Sequence, residues 1–254
     1  MNNAVLFEVK GRTAIITIHR PEQRNAINED VRTGLFAAFE RFENDDTLLC
    51  AVLTGAGDKA FCAGMDLKMM SGMANQPLPP GYLPIIGQSL RVTKPTICAV
   101  NGVATAGGWL FAQMCDLCVA SEHARFGITE AKVGRGMPWA PPLIHMLPQR
   151  FFMELMLTGE MIDARRAMEI GFVNRVVPQD ELLPTALALA EKIAANAPLT
   201  VRAAREVVYL STEMGRTAAL RAADHAFDRV YRSKDAIEGP TAFKEKRAPQ
   251  WQGA

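Results

Sequence analysis

The sequence predicts an α/β protein, a largely parallel sheet core followed by a helical module. Strand-like apolar runs bounded by turn residues alternate with stretches of helical periodicity through the first two thirds of the chain. Leu48 to Leu53 is continuously apolar rather than alternating, which is the pattern of a strand covered on both faces. After about Pro178 the strand pattern stops and helical periodicity takes over.

The elements follow in order. Residues 5–9 and 13–18 read as two strands joined by a turn at Gly11-Arg12. Asn28 caps a helix running to about Phe42, with Val31, Leu35, Ala38, Phe39 and Phe42 on one apolar face. The strand Leu48–Leu53 ends in Thr54-Gly55-Ala56-Gly57. Residues 71–84 are rich in Pro and Gly and read as a surface loop. A second buried strand, Thr96–Val100, ends at Asn101-Gly102. Helix signals resume after Gly107-Gly108, and a third buried strand covers Leu117–Ala120. Three helices follow, Leu182–Ala197, Val201–Leu210 and Thr217–Tyr231. The last has Leu220, Ala223, Phe227 and Val230 on one face, and apolar faces of this length point to subunit packing.

Bulk properties exclude several classes. The 254 residues carry a formal net charge of +1 with no long basic run, which gives a nucleic-acid partner no support. The five cysteines do not form a disulfide scaffold, and Met1-Asn2-Asn3 leads into a strand rather than a secretory pattern. The expectation is a reduced, cytoplasmic protein. Pro95 to Cys115 is uncharged and long enough to span a bilayer. It contains Asn101, Gln113 and glycines 102, 107 and 108, so strand, turn and helix fit it better, and no membrane partner is expected.

Three motifs fail. Gly102 to Trp109 has phosphate-loop glycine spacing without the Lys-Ser/Thr pair. Cys115-Asp116-Leu117-Cys118 is a lone C-x-x-C, and histidines 19, 123, 145 and 225 have no ligand spacing; two buried thiols and no metal are expected. No G-x-S-x-G elbow is present. What survives is a pair of glycine turns after two buried strands: Cys62-Ala63-Gly64-Met65-Asp66, and Ala106-Gly107-Gly108 at a helix start. Two backbone N–H groups aimed at one point from such turns make an oxyanion hole.

These residues resemble the enoyl-CoA hydratase/isomerase, or crotonase, superfamily over nearly the whole chain. The markers are Phe61-Cys-Ala-Gly-Met-Asp-Leu-Lys68, Lys94-Pro-Thr-Ile-Cys-Ala-Val-Asn-Gly102, Ala106-Gly-Gly108, Cys115-Asp116, Phe126-Gly-Ile-Thr-Glu130, Leu157-Thr-Gly159 and Ala242-Phe-Lys-Glu-Lys-Arg247. The resemblance implies a spiral of ββα units over residues 1–195, with a helical oligomerisation module over 196–254. It implies homotrimers or hexamers built as dimers of trimers. It also implies an acyl-CoA substrate and no cofactor beyond its coenzyme A moiety. By the same correspondence the thioester oxygen is held by the N–H groups of Met65 and Gly107. Ala63, Asp66, Leu67 and Lys68 then flank the coenzyme, as do the C-terminal Phe227, Phe243 and Lys246. Each has a plainer reading: Asp66 as a helix cap, Lys68 and Lys246 as solvated charges, Phe227 as helix core. Asp116 reads as structural.

Hydratases that resemble this chain carry two glutamates, which orient and deprotonate a water. The second stands here as Glu130. The first position is Leu110, beside Trp109, and no acidic residue lies between Lys94 and Asp116. A single base beside a polarised thioester moves protons without water. The pattern therefore resembles the Δ3,Δ2-enoyl-CoA isomerases, with Pro138 eight residues after Glu130. Dienoyl-CoA isomerases and chlorobenzoyl-CoA dehalogenases have an aspartate at the Pro138 position. Hydroxycinnamoyl-CoA hydratase-lyases share the Ala-Gly-Met-Asp-Leu-Lys of residues 63–68 but have a serine where Leu110 stands. Trp109 and Leu110 are expected to wall the site and raise the basicity of Glu130. Met137, Pro138 and Trp139 line the acyl tunnel or simply pack. A hydratase or hydratase-lyase using Glu130 alone, and a non-catalytic acyl-CoA- or RNA-binding relative, are the alternatives.

Overall fold

The computed structural model describes residues 3–66, 69 and 76–254. Strands β1 (Val5–Lys10) and β2 (Thr13–Ile18) form an antiparallel hairpin, turned at Gly11, whose φ of +58° suits a residue without Cβ. Helix α1 (Glu29–Asn44) follows, capped by the Asn28 side chain, which accepts from the Val31 N–H at 3.0 Å. Its buried residues are Val31, Leu35, Ala38, Phe39 and Phe42, the face expected from spacing.

The chain then spirals. Strands β3 (Cys50–Gly55) and β4 (Ala60–Cys62) are followed by β5 (Thr96–Val100) and β6 (Val103–Thr105), then helix α2 (Gly107–Gln113), then β7 (Leu117–Ser121) and β8 (Arg125–Gly127). In each pair the first strand joins a six-stranded sheet and the second joins a four-stranded one. Helices α3 (Gln149–Thr158) and α4 (Ala164–Glu169) flank β9 (Met161–Asp163), and β10 (Arg175–Val177) completes the large sheet in the order β1-β2-β3-β5-β7-β10. From β2 to β10 the neighbours in that sheet are parallel. The small sheet runs β4-β6-β8-β9, and only β9 is antiparallel to its neighbour.

The continuous apolar strands now have a cause. Ala51 and Leu53 of β3, with Cys98 and Val100 of β5, face the main core. Cys50 and Val52, with Ile97 and Ala99, face the other way, against Leu182, Ala186 and Ala190 of helix α5 (Leu182–Ala194). Alanines at i, i+4 spacing let α5 lie close to the sheet. Both faces are covered, so neither needs polar residues.

Buried polar groups lock the elements together. Lys94 is 1% exposed, and its Nζ donates to the carbonyls of Phe42 at 2.8 Å and Asp45 at 2.7 Å, closing the C-terminal end of α1. Burial lowers its pKa, and the two carbonyls satisfy the ammonium. Asp116 accepts from the Thr96 N–H at 2.8 Å, from Arg205 Nε at 2.8 Å and from the Tyr209 hydroxyl at 2.7 Å. It joins the large sheet to helix α6 (Pro198–Glu213), the structural role expected of it.

After α6 come α7 (Arg216–Tyr231) and α8 (Asp235–Glu245). These three long helices bury few of their own residues: Pro198 and Ala203, Ala226, and Asp235 and Ala242. Val208, Leu220, Tyr231, Ile237 and Phe243 are exposed. The uncharged stretch from Pro95 to Cys115 is β5, β6 and α2, and no helix among the described residues is long and apolar enough to cross a membrane.

The structure corrects some sequence expectations. Strand β3 begins at Cys50, not Leu48. Leu48 and Leu49 are buried in the turn before it, their N–H groups donating to Asp45 and Arg12. The strand extends to Gly55 because Thr54 and Gly55 still pair with Thr17 and Ile18. The strands of the small sheet and β10, of three residues each, and helix α8, with Pro240 inside it, were not anticipated.

Candidate active site

Two turns meet at the end of the small sheet. Residues 62–66 leave β4 and are gripped by the loop before α1. The Ala63 N–H donates to the Arg24 carbonyl at 3.1 Å, the Ile27 N–H to Gly64 at 2.8 Å, and the Asp66 N–H to Ile27 at 2.9 Å. Met65 thus bridges Ile27 as an isolated strand pair. The loop is itself fixed by fully buried Asn25, whose Nδ2 donates to Ala56 at 2.9 Å and Ala60 at 2.7 Å. Arg20 donates to the Asp66 carboxylate at 3.1 Å and to the Ala26 carbonyl at 2.7 Å, so Asp66 clamps the turn to the loop before α1. Arg20, Asn25 and Ile27 were missed in the sequence. The one available signal was a polar Asn in a short turn between a strand and a helix cap.

The second turn is Thr105-Ala106-Gly107-Gly108. Ala106 has φ +52° and ψ −120°, a conformation that costs a residue with Cβ about 1–3 kcal/mol. It is held by its N–H to Gly127 at 3.0 Å and its carbonyl to the Leu110 N–H at 3.1 Å. The turns touch: a Cβ on Gly64 would lie 3.1 Å from the Thr105 carbonyl oxygen and 3.5 Å from the Gly107 nitrogen. Among the described residues neither the Met65 N–H nor the Gly107 N–H donates to a protein acceptor. Gly107 opens α2, so its N–H also carries the positive end of the helix dipole. Beneath the turn, burial pushes the Cys62 thiol up to about 12, which favours the neutral thiol.

Glu130 opens a single 3-10 turn, Glu130–Val133. Its carbonyl accepts from the Gly134 and Arg135 N–H groups, Gly134 having φ +63°. The side chain is buried. Oε1 accepts from the Trp139 indole at 3.0 Å, while Oε2 is buried without a partner among the described residues. Burial raises the pKa, against smaller lowering effects from its own N–H and the Trp139 indole. A buried carboxylate with one oxygen anchored and the other bare suits a general base.

Other expected residues are placed as follows. Leu110 is fully buried one turn into α2. Trp109 is fully buried, its ring 5.7 Å from that of Phe126 and 5.1 Å from that of Phe172. Pro138 is exposed and Met137 half-buried. Phe227 is half-buried on α7, and Phe243 and Lys246 are exposed at the end of α8, which packs on α7. Leu67 and Lys68 lie outside the described residues, as do residues 71–75 of the 71–84 loop. Cys115 and Cys118 are buried and free, as expected for plain thiols.

Comparison with known proteins places the chain in a family. The Enoyl-CoA hydratase/isomerase family profile matches residues 8–254. An enoyl-CoA hydratase of Mycobacterium tuberculosis, EchA19, is 38% identical over 97% of this chain and 96% of its own. The (E)-benzylidenesuccinyl-CoA hydratase of Thauera aromatica is 37% identical over 98% of this chain and 99% of its own. A crystal structure of an enoyl-CoA hydratase from Mycobacterium tuberculosis superposes with a TM-score of 0.92 at 39% identity, covering 99% of this chain and 100% of that one. The alternation of strands between two sheets is therefore the crotonase fold, and the chain belongs to the enoyl-CoA hydratase/isomerase family.

Proposed function

We propose that the chain shifts a C3–C4 double bond of an enoyl-CoA to C2–C3, with Glu130 as its one base. The observation that carries this is the Glu130 carboxyl itself: buried, anchored at Oε1 and bare at Oε2. Oε2 takes a proton from C2, and the C–H electrons pass into the thioester. Its oxygen becomes an enolate held by the N–H groups of Met65 and Gly107. The carboxyl then returns the proton to C4 and the double bond settles at C2–C3. No water enters and no redox partner is needed, so coenzyme A on the substrate is the sole carrier group. Leu110 supports this reading because it is apolar and buried where a hydratase of the family has its first glutamate. Ala63, Asp66, Leu67 and Lys68 flank the coenzyme, and Trp109, Leu110 and Pro138 belong to the acyl side.

Hydration with Glu130 alone is the second reading, favoured by the hydratase names of the relatives. One assay separates them. With a 3-enoyl-CoA the conjugated-thioester absorbance rises, and with a 2-enoyl-CoA it stays nearly constant. Rapid loss of absorbance from 2-enoyl-CoA with 3-enoyl-CoA untouched selects the hydratase.

Residues 196–254 form the oligomerisation module in this proposal, and residues 1–195 the catalytic unit. The exposed apolar residues of α6 to α8 support a trimer or a dimer of trimers, in which Phe227, Phe243 and Lys246 reach a coenzyme. Native mass spectrometry is expected to give three or six chains; a monomer at micromolar concentration would refute it.

A further inference from the structure

Trp139 lies nine residues beyond Glu130, after the Gly134 turn, and is half-buried. Its two polar groups point to different parts of the site. The indole Nε1 donates to Glu130 Oε1 at 3.0 Å. The backbone carbonyl accepts from Gln113 Nε2 at 2.7 Å. Gln113 is the last residue of α2, whose first residue is Gly107. Two hydrogen bonds therefore connect the helix bearing one oxyanion donor to the carboxyl of the base, across segments far apart in sequence. Gln113 is itself 5% exposed, and its Oε1 has no partner among the described residues. A buried amide that spends only its N–H on a single carbonyl is costly, so that bond has a positioning purpose.

We propose that Trp139 is a positioning residue, held by Gln113 to α2, that pins Oε1 of Glu130 and so assigns proton transfer to Oε2. This rests on the reading of Glu130 as the base. Its consequence is a choice of oxygen: Oε1 is occupied by the indole through the cycle, and the same Oε2 removes and returns the proton. The indole also opposes the effect of burial, keeping part of the carboxyl population ionised at lower pH. The charged groups nearby are Lys132 on the same turn, Arg135 just beyond it, and Arg150 and Glu154 on α3, which packs against the turn. None of them is among the causes of the Glu130 shift, so the indole is the side-chain partner to remove.

The test is the pH dependence of kcat/KM in Trp139→Phe and Gln113→Leu, each checked for folding by circular dichroism. A base works ionised, so activity falls as pH drops through its pKa. Without the indole donor that acid limb moves to higher pH. In Trp139→Phe the loss of kcat/KM on the acid limb is expected to exceed that on the plateau about tenfold, the scale of one hydrogen bond to a charged group. Gln113→Leu, which also removes the unpartnered Oε1, is expected to move the limb the same way by less. A limb that stays in place, or an equal loss at every pH, overturns the proposal. If Trp139→Phe does not fold, Gln113→Leu decides in the same way. Glu130→Gln keeps the two failures apart: full activity there removes the base itself, whereas an inactive Glu130→Gln with unmoved limbs removes only the role of Trp139.

Discussion

Glu130→Gln is expected to lower turnover by about 10²–10⁴-fold, the range for loss of a positioned general base, without lowering stability at neutral pH. The first half follows from chemistry: an amide cannot take a proton from carbon. The second follows from the site's electrostatics. Burial raises the Glu130 pKa above its ordinary value. Between those two values the folded chain holds a proton that the unfolded chain has released. Stability then falls as pH rises, since its slope follows the protons bound in the unfolded state minus those bound in the native state. Below the ordinary glutamate pKa the penalty is absent, and above the raised one it is complete. Glutamine never ionises and carries no such penalty, and its Oε1 still accepts from the Trp139 indole. Thermal midpoints of the two proteins should therefore draw apart in favour of the Glu130→Gln variant as pH is raised through the window above the ordinary glutamate value. A variant that turns over normally would remove Glu130 from the mechanism. One whose relative stability falls over that window would show that the carboxylate is welcome in the folded state.

The fold was legible where burial imposes a period. The five residues that α1 buries are the five its spacing picks out, because a helix on a sheet must show one apolar stripe. Strand β5 was legible as a run of buried residues because both its faces are covered. The small sheet was not, since strands of three residues such as Val103–Thr105 are too short to establish alternation. Helix α8 was hidden by Pro240, which reads as a breaker and stands inside the helix. The site divides in the same way. The glycines of its two turns were legible as places of close backbone approach to a ligand, and in the structure they also let the two turns touch, Gly64 beside Gly107. Glu130 was legible only through its motif, since nothing in local composition separates it from a surface glutamate. The Gln113–Trp139–Glu130 connection was not legible, because a hydrogen bond between distant segments has no sequence period.

Gly108→Ala is the backbone change expected to do most damage, through space rather than conformation. Its φ is not positive, so alanine could adopt its backbone angles. The added Cβ, however, would lie 1.9 Å from the Cys62 carbonyl oxygen and 2.8 Å from its carbon. Neither atom belongs to a flexible side chain, so one turn must move off the other by more than about 1 Å to restore ordinary contact. Gly108 adjoins Gly107, and Cys62 lies three residues before Met65, so the same movement parts the two N–H groups proposed above to share the thioester oxygen. Loss of one oxyanion donor alone costs about 10²–10³-fold in kcat, and overpacking costs a further 1–3 kcal/mol of stability, roughly. Neighbouring positions grade the effect. Gly107→Ala meets the Cδ1 of Ile27 at 2.7 Å, the end of a side chain that can turn away, and should be the milder of the two. Gly215→Ala, at the start of α7 with nothing within 4 Å of its Cβ, should keep full activity. If Gly108→Ala folds and keeps the wild-type rate while the enolate still forms, the two turns do not need their contact, and the thioester oxygen is held by other donors.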